Sequence, residues 1–123
     1  MTMLLVLVGG ALGASLRYLT DLFITSRHVS AFPWGTVIVN VVGSLILGLT
    51  SGAVSATDSP AWVLTLVGTG FCGALTTFST FGFETVRLVE LGALRTAALN
   101  VGASLVAGML AFLAAWELAA ALA

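Results

Sequence analysis

Three stretches of this chain run free of charged side chains: Val29 to Thr57, Ser59 to Phe83 and Thr96 to Trp116. Each reaches the roughly 20 apolar residues that an α-helix needs to cross the hydrocarbon core of a bilayer. A fourth candidate runs from Met3 to about Ile24, interrupted by Arg17 and Asp21. The sequence therefore predicts an all-α polytopic membrane protein. Its four transmembrane helices are expected over about residues 3–26, 33–53, 60–91 and 94–118, as a single membrane domain over residues 1–123. Only 7% of the residues are charged, against about 25% in a soluble domain. Four helices with tight connections leave no room for a soluble domain, a nucleotide fold or a substrate lid.

The same economy excludes several function classes. The first segment lacks a basic leader and carries Arg17 and Asp21 where a cleavage region would fall, so it reads as a retained helix rather than a signal peptide. Cys72 is the only cysteine, so no intrachain disulfide or multi-cysteine metal site is available. Its ordinary role is packing as a small buried residue. The net charge is −1, with no lysine and no basic run, which argues against nucleic acid as a partner. The lone His28, beside Arg27 in the first connection, has no nucleophile–base arrangement around it and is expected at a solvated interface. There is no phosphate loop either, and an enzyme is not expected.

Small and polar residues mark faces on the helices. Helix 1 carries Gly9 with Gly13 and Gly10 with Ala14, two small-xxx-small pairs that let another backbone come close. Arg17 lies one turn after Gly13, where it either faces the bundle or snorkels to the headgroups. Asp21 at i+4 is placed to pair with it. Pro33 and Trp34 open helix 2, as proline suits a first helical turn and tryptophan the membrane interface. Thr36, Asn40 and Ser44 then recur every four residues as one stripe, continued by Gly48. Asn40 serves either an interhelical hydrogen bond or a conduction path. Helix 4 has a similar stripe, Asn100, Ser104 and Gly108. The alanine-rich tail, Ala119 to Ala123, is expected to fray.

The third helix holds the least ordinary run, Gly73-Ala74-Leu75-Thr76-Thr77-Phe78-Ser79-Thr80-Phe81. Four hydroxyls and two phenyl rings crowd into an otherwise apolar span. Intramembrane polar groups are costly and face a bundle interior or a conduction path. Glycines and clustered Ser/Thr around Gly68-Thr69-Gly70 and from Gly73 to Thr77 predict a broken helix, which protein shielding or water permits. A break frees carbonyl oxygens for a cation. Beyond it Phe78, Phe81 and Glu84 recur every three residues on one face. By spacing alone the two rings read as core as readily as a path. Glu84 is expected on a polar track beside them, protonated, hydrogen-bonded to hydroxyls, or paired with Arg87 or with an arginine from another subunit.

All positive charge resides in Arg17, Arg27, Arg87 and Arg95. Four spans put Arg27 and Arg95, with Arg87 toward them, at the end that holds the 1–2 and 3–4 connections. The positive-inside rule then places that end in the cytoplasm and the termini outside.

Three blocks together resemble the CrcB, or Fluc, fluoride channel family. They are Gly10-x-x-Gly13-Ala14-x-x-Arg17-Tyr18, Pro33-Trp34-Gly35-Thr36 with Val39-Asn40-x-x-Gly43-Ser44, and Gly73 to Phe81. In order, and with four spans, they cover nearly the whole chain. The resemblance implies an antiparallel (inverted) dimer with two fluoride pores and a central structural sodium ion, in the cytoplasmic (inner) membrane of a prokaryote. It implies Phe78 and Phe81 as pore phenylalanines, Asn40 as the pore asparagine and Ser104 as a pore serine. Gly73 and Thr76 would offer backbone carbonyls to sodium. The partner subunit would be a second copy or a related chain of opposite orientation. The chain departs from the family at Asn100, where many members have tyrosine, and at Gly108, where some have a further hydroxyl.

The chemistry suits these residues. Fluoride holds its water tightly, so a pore must replace that shell with donors without binding the ion too deeply. Thr77, Ser79, Thr80 and Ser104 hydroxyls and the Asn40 amide are such donors. The positive edge of a phenyl ring attracts an anion without a full charge. Arg17 would stand at a vestibule or interface. The alternative is a small dual-topology proton-coupled exporter of the small multidrug resistance type, but such transporters use a helix 1 carboxylate, and helix 1 here offers only Asp21.

Overall fold

The computed structural model describes residues 1–27 and 32–122. His28, expected in the first connection, lies outside them. Helix α1 is Thr2–Arg27 and α2 is Trp34–Ala56. The third span, Ala61–Glu90, is divided. Its first part, α3, covers residues 61–75, and its second, α4, is Ser79–Glu90. Helix α5 is Leu94–Leu122. All four spans are long and apolar enough to cross a membrane, and no strand occurs among the described residues. The all-α, four-span architecture with an interrupted third helix matches the expectation from sequence.

The ends of these helices follow local chemistry. The Pro33 carbonyl accepts from the Val37 N–H at 3.2 Å, so α2 starts directly after a residue that has no N–H to lose. It runs to Ala56, past the expected Ala53, because Thr57 closes it there. The Thr57 N–H and hydroxyl both donate to the Ala53 carbonyl, at 3.1 and 2.7 Å. Helix α4 ends in a Schellman turn: Gly92 N–H reaches Val89 O at 3.0 Å and Ala93 N–H reaches Leu88 O at 2.8 Å. The turn needs a left-handed residue, and Gly92 supplies it at φ +80°. The alanine tail does not fray as expected but stays helical through Leu122. Alanine has the highest helix propensity of all residues, so an Ala/Leu run extends a helix already formed.

Two close crossings hold the bundle. Helix α1 crosses α3, and α2 lies along α5. At the first, a Cβ on Gly9 would stand 2.9 Å from Phe71 N, and one on Gly13 would stand 3.0 Å from the Phe71 carbonyl carbon. Gly10, the other candidate, faces open space by comparison, with nothing nearer than 3.9 Å. At the second crossing a Cβ on Gly52 would meet Trp116 O at 2.6 Å. Small residues let backbones touch where lipid offers no hydrophobic drive for association. Facing α1, residues Leu64–Cys72 wind as a wider π-helix, in which Gly73 N–H reaches back to Gly68 O. Large apolar side chains such as Leu12, Leu45, Val86 and Leu110 stay exposed. Water would make a contiguous surface of that kind a liability; a bilayer makes it the solvent face.

Candidate functional site

The break in the third span lies at Thr76, Thr77 and Phe78. Thr76 is extended, with φ −78° and ψ 158°. The Asn40 side chain on α2 fills the gap in the backbone ladder. Its Oδ1 accepts from Thr77 N–H at 2.8 Å and its Nδ2 donates to Thr77 O at 3.1 Å. One amide thus satisfies both polar groups of a residue that has left the helix, which is what non-helical backbone at membrane depth requires. The Thr77 hydroxyl accepts from Thr80 N–H at 3.2 Å, capping the first turn of α4.

Those substitutions have a consequence for two other carbonyls. Thr77 N–H, which would have closed a helical bond to Gly73 O, goes to Asn40. Thr80 N–H, which would have served Thr76 O, goes to the Thr77 hydroxyl. Gly73 and Thr76 therefore present carbonyl oxygens without their helical donors, at the bend between α3 and α4. Backbone oxygens of this kind are hard ligands that suit a hard cation. The donor type of these two oxygens is one that a hard cation such as sodium would accept.

Beside the break runs an open groove of about 360 Å³ between α2, α3 and α5. It brings Asn40, Thr76, Thr77, Phe78, Phe81 and Ser104 onto one surface, with Gly73 on the same wall. The Phe78 and Phe81 rings lie 6.0 Å apart at 43°. Phe78 is 84% exposed, an unfavourable surface for a phenyl ring unless lipid or another chain meets it. Ser104 is buried, and its hydroxyl has no partner among the described residues. Thr76 donates its hydroxyl hydrogen to Cys72 O at 2.8 Å. Its methyl packs onto Gly43.

A second pocket, about 280 Å³, opens on the other side of Thr77. Arg17, Asp21, Thr36 and Thr80 line it. No ion pair joins Arg17 to Asp21 among the described residues, contrary to the expectation from their spacing. Asp21 is directed instead at the N-terminus of α2, where its Oδ1 would meet a Cβ on Gly35 at 3.1 Å. A carboxylate is favoured at that end of the helix dipole. Thr36 donates its hydroxyl to Glu84 Oε1 in a short hydrogen bond. Glu84 thus makes a hydroxyl contact, one of the arrangements expected for it.

A sequence model of the family described as "CrcB-like protein, Camphor Resistance (CrcB)" matches residues 4–116. A protein of Frankia casuarinae named fluoride-specific ion channel FluC 1 is 56% identical over 112 residues, 87% of each chain. One of the same name from Streptomyces avermitilis is 51% identical over 117 residues, 94% of each. A third, from Nocardia farcinica, is 54% identical over 114 residues, 93% of this chain and 78% of that protein. The chain belongs to the CrcB family.

In this CrcB chain, the residues singled out from sequence divide between two places. Asn40, Phe78, Phe81, Ser104, Gly73 and Thr76 share the groove, whereas Thr80 and Arg17 share the second pocket; Thr77 borders both. Ser79 is exposed at the turn, 3.5 Å from the Thr77 hydroxyl. Sequence reasoning missed Thr85, which accepts from Asn100 Nδ2 at 2.9 Å. Its position one helical turn beyond Phe81 was the available signal. It also missed that Ser44 turns back on its own helix, donating to Asn40 O at 2.8 Å.

Proposed function

We propose that the chain is a subunit of a passive, fluoride-selective channel in the cytoplasmic membrane of a bacterium. The relatives are named as ion channels, not enzymes, and four membrane spans suit that class. The observation that carries the reading is the groove. It sets the exposed Phe78 ring and the half-buried Phe81 ring of the interrupted span beside the Asn40 amide and a Ser104 hydroxyl with no partner among the described residues. Asn40 gives one amide hydrogen to Thr77 O, and its second is left for an anion. None of these groups carries a full positive charge, so the ion is attracted without being trapped.

The reading extends to an assembly. Two such chains in opposite orientations would enclose two paths, each completed by the partner's surface over Phe78. The Gly73 and Thr76 carbonyls of both chains would hold one sodium ion between the broken spans. Bound there, sodium would supply fixed positive potential and a clamp on the two breaks. Fluoride enters a cell as its neutral weak acid and ionises inside. The membrane potential then drives the anion out, with no nucleotide or coupled proton.

Fluoride efflux from liposomes containing only this purified chain tests the function, with a fluoride electrode and chloride as the control anion. Fast fluoride release without chloride release is expected of a self-sufficient channel. If neither the chain alone nor the chain with a related subunit releases fluoride, the reading is wrong.

A further inference from the structure

Asn100 on α5 has no exposed surface, alone among the larger side chains described. Its Nδ2 donates to the Thr85 hydroxyl at 2.9 Å, and that hydroxyl donates to the Phe81 carbonyl at 2.8 Å. A threonine hydroxyl has one hydrogen. Because it is committed to Phe81, the oxygen must accept from Asn100, which fixes the amide with Oδ1 turned away. That Oδ1 is buried and has no partner among the described residues. A half-satisfied buried amide is worse for stability than an apolar side chain of like shape. Stability therefore does not account for Asn100, and its paired half leads, through the Thr85 hydroxyl, to the residue whose ring lines the groove.

The linkage has a mechanical meaning. A threonine bonded to the carbonyl four residues back bends its helix slightly. In a helix threonine divides between two rotamers, so such a bend is ordinarily averaged. An amide donating to the same oxygen selects one rotamer and fixes the bend. The bend lies between Phe81 and Thr85, where α4 leaves the break.

We propose that Asn100 is a positioning residue for Phe81, acting through the Thr85 hydroxyl on the Phe81 carbonyl to set the angle of that ring at the groove. The transport half of this proposal rests on the reading of Phe78 and Phe81 as the fluoride path. Asn100 does not itself touch the ion.

The test uses the full chain carrying 4-fluorophenylalanine at position 81, with a second sample labelled at Phe112 on α5 as control. ¹⁹F NMR spectra and thermal unfolding midpoints are recorded for Asn100→Leu, Thr85→Val, the double variant and Thr85→Ser. Both single variants should shift or broaden the position 81 resonance and leave position 112 unmoved. The double variant should do no more than either single one, and Thr85→Ser, which keeps the hydroxyl, should look like wild type. The midpoint of Asn100→Leu should equal or exceed that of wild type. In fluoride efflux the same variants should lower the rate several-fold, and Thr85→Ser should retain it. An unmoved position 81 resonance, an equal shift at position 112, a lowered Asn100→Leu midpoint or failure of the Thr85→Ser rescue would each overturn the positioning role. A moved resonance with unchanged efflux would overturn its transport half. The resonance arm decides the positioning even if the wild-type chain passes no fluoride, a result that would count against the channel reading instead.

Discussion

Asn40 shows how one side chain makes an interrupted membrane helix tolerable. Thr77 has left the α-helical ladder, and both its N–H and its C=O depend on the Asn40 amide. Leaving a buried polar group unpaired costs about 1–3 kcal/mol, and Asn40→Ala would strand two. We expect this variant to unfold at a lower temperature than wild type and to lose protection at the Thr77 amide in hydrogen exchange. An unchanged exchange rate at Thr77 would show that the break is held by something else. Asn40→Ala should also lower fluoride efflux, because the anion donor and the clip on the break are one group. Thr77 is committed in part: its hydroxyl oxygen caps Thr80 N–H, which leaves its hydrogen and one lone pair for other work.

At the scale of helices, backbone proximity decides which glycines matter. On α1, Gly9 and Gly13 meet the backbone of α3, which cannot swing aside as a side chain would. Gly10, between them, has room for a methyl group. Overpacking costs about 1–3 kcal/mol where neighbours cannot yield, so Gly9→Ala and Gly13→Ala should each lower the thermal midpoint. Gly10→Ala should leave it near wild type. Equal effects at all three positions, measured by thermal unfolding in detergent, would mean that the α1–α3 crossing does not depend on backbone contact. Much of this level was legible in the sequence. Charge-free runs gave the spans, and the glycine and hydroxyl clusters gave the disturbed third helix. Small-residue spacing found Gly9 and Gly13 but could not separate them from Gly10 and Ala14, because spacing fixes a face and not the register of the crossing. The Asn40–Thr77 and Asn100–Thr85 bonds were illegible for a related reason. Each joins residues on different helices, and only the crossing geometry selects which hydroxyl or backbone group an amide reaches.

For the whole molecule, the freed carbonyls and the arginines lead to separate expectations. If Gly73 and Thr76 oxygens hold sodium between two chains, strict removal of sodium should abolish fluoride efflux or loosen the assembly. Undiminished transport without sodium would count against that site. The arginines bear on which two chains assemble. Arg27 closes α1, Arg87 lies in the last turn of α4, and Arg95 opens α5, all at one end of the bundle. Arg17 stands in the same half of α1, whereas the opposite end carries Asp58 and Glu117 and no arginine or lysine. Lys/Arg bias near span ends sets orientation, so the chain should insert mostly one way, with the arginine end in the cytoplasm and the C-terminus outside. Alkaline phosphatase and green fluorescent protein fused in turn to the C-terminus measure this. Active phosphatase with a dark fluorescent fusion is the expected pair of signals. An inverted dimer would then need a related chain of opposite bias, and this chain alone should pass little fluoride in a native membrane. Comparable signals from both fusions would show insertion in both orientations, and a pair of identical chains would then suffice.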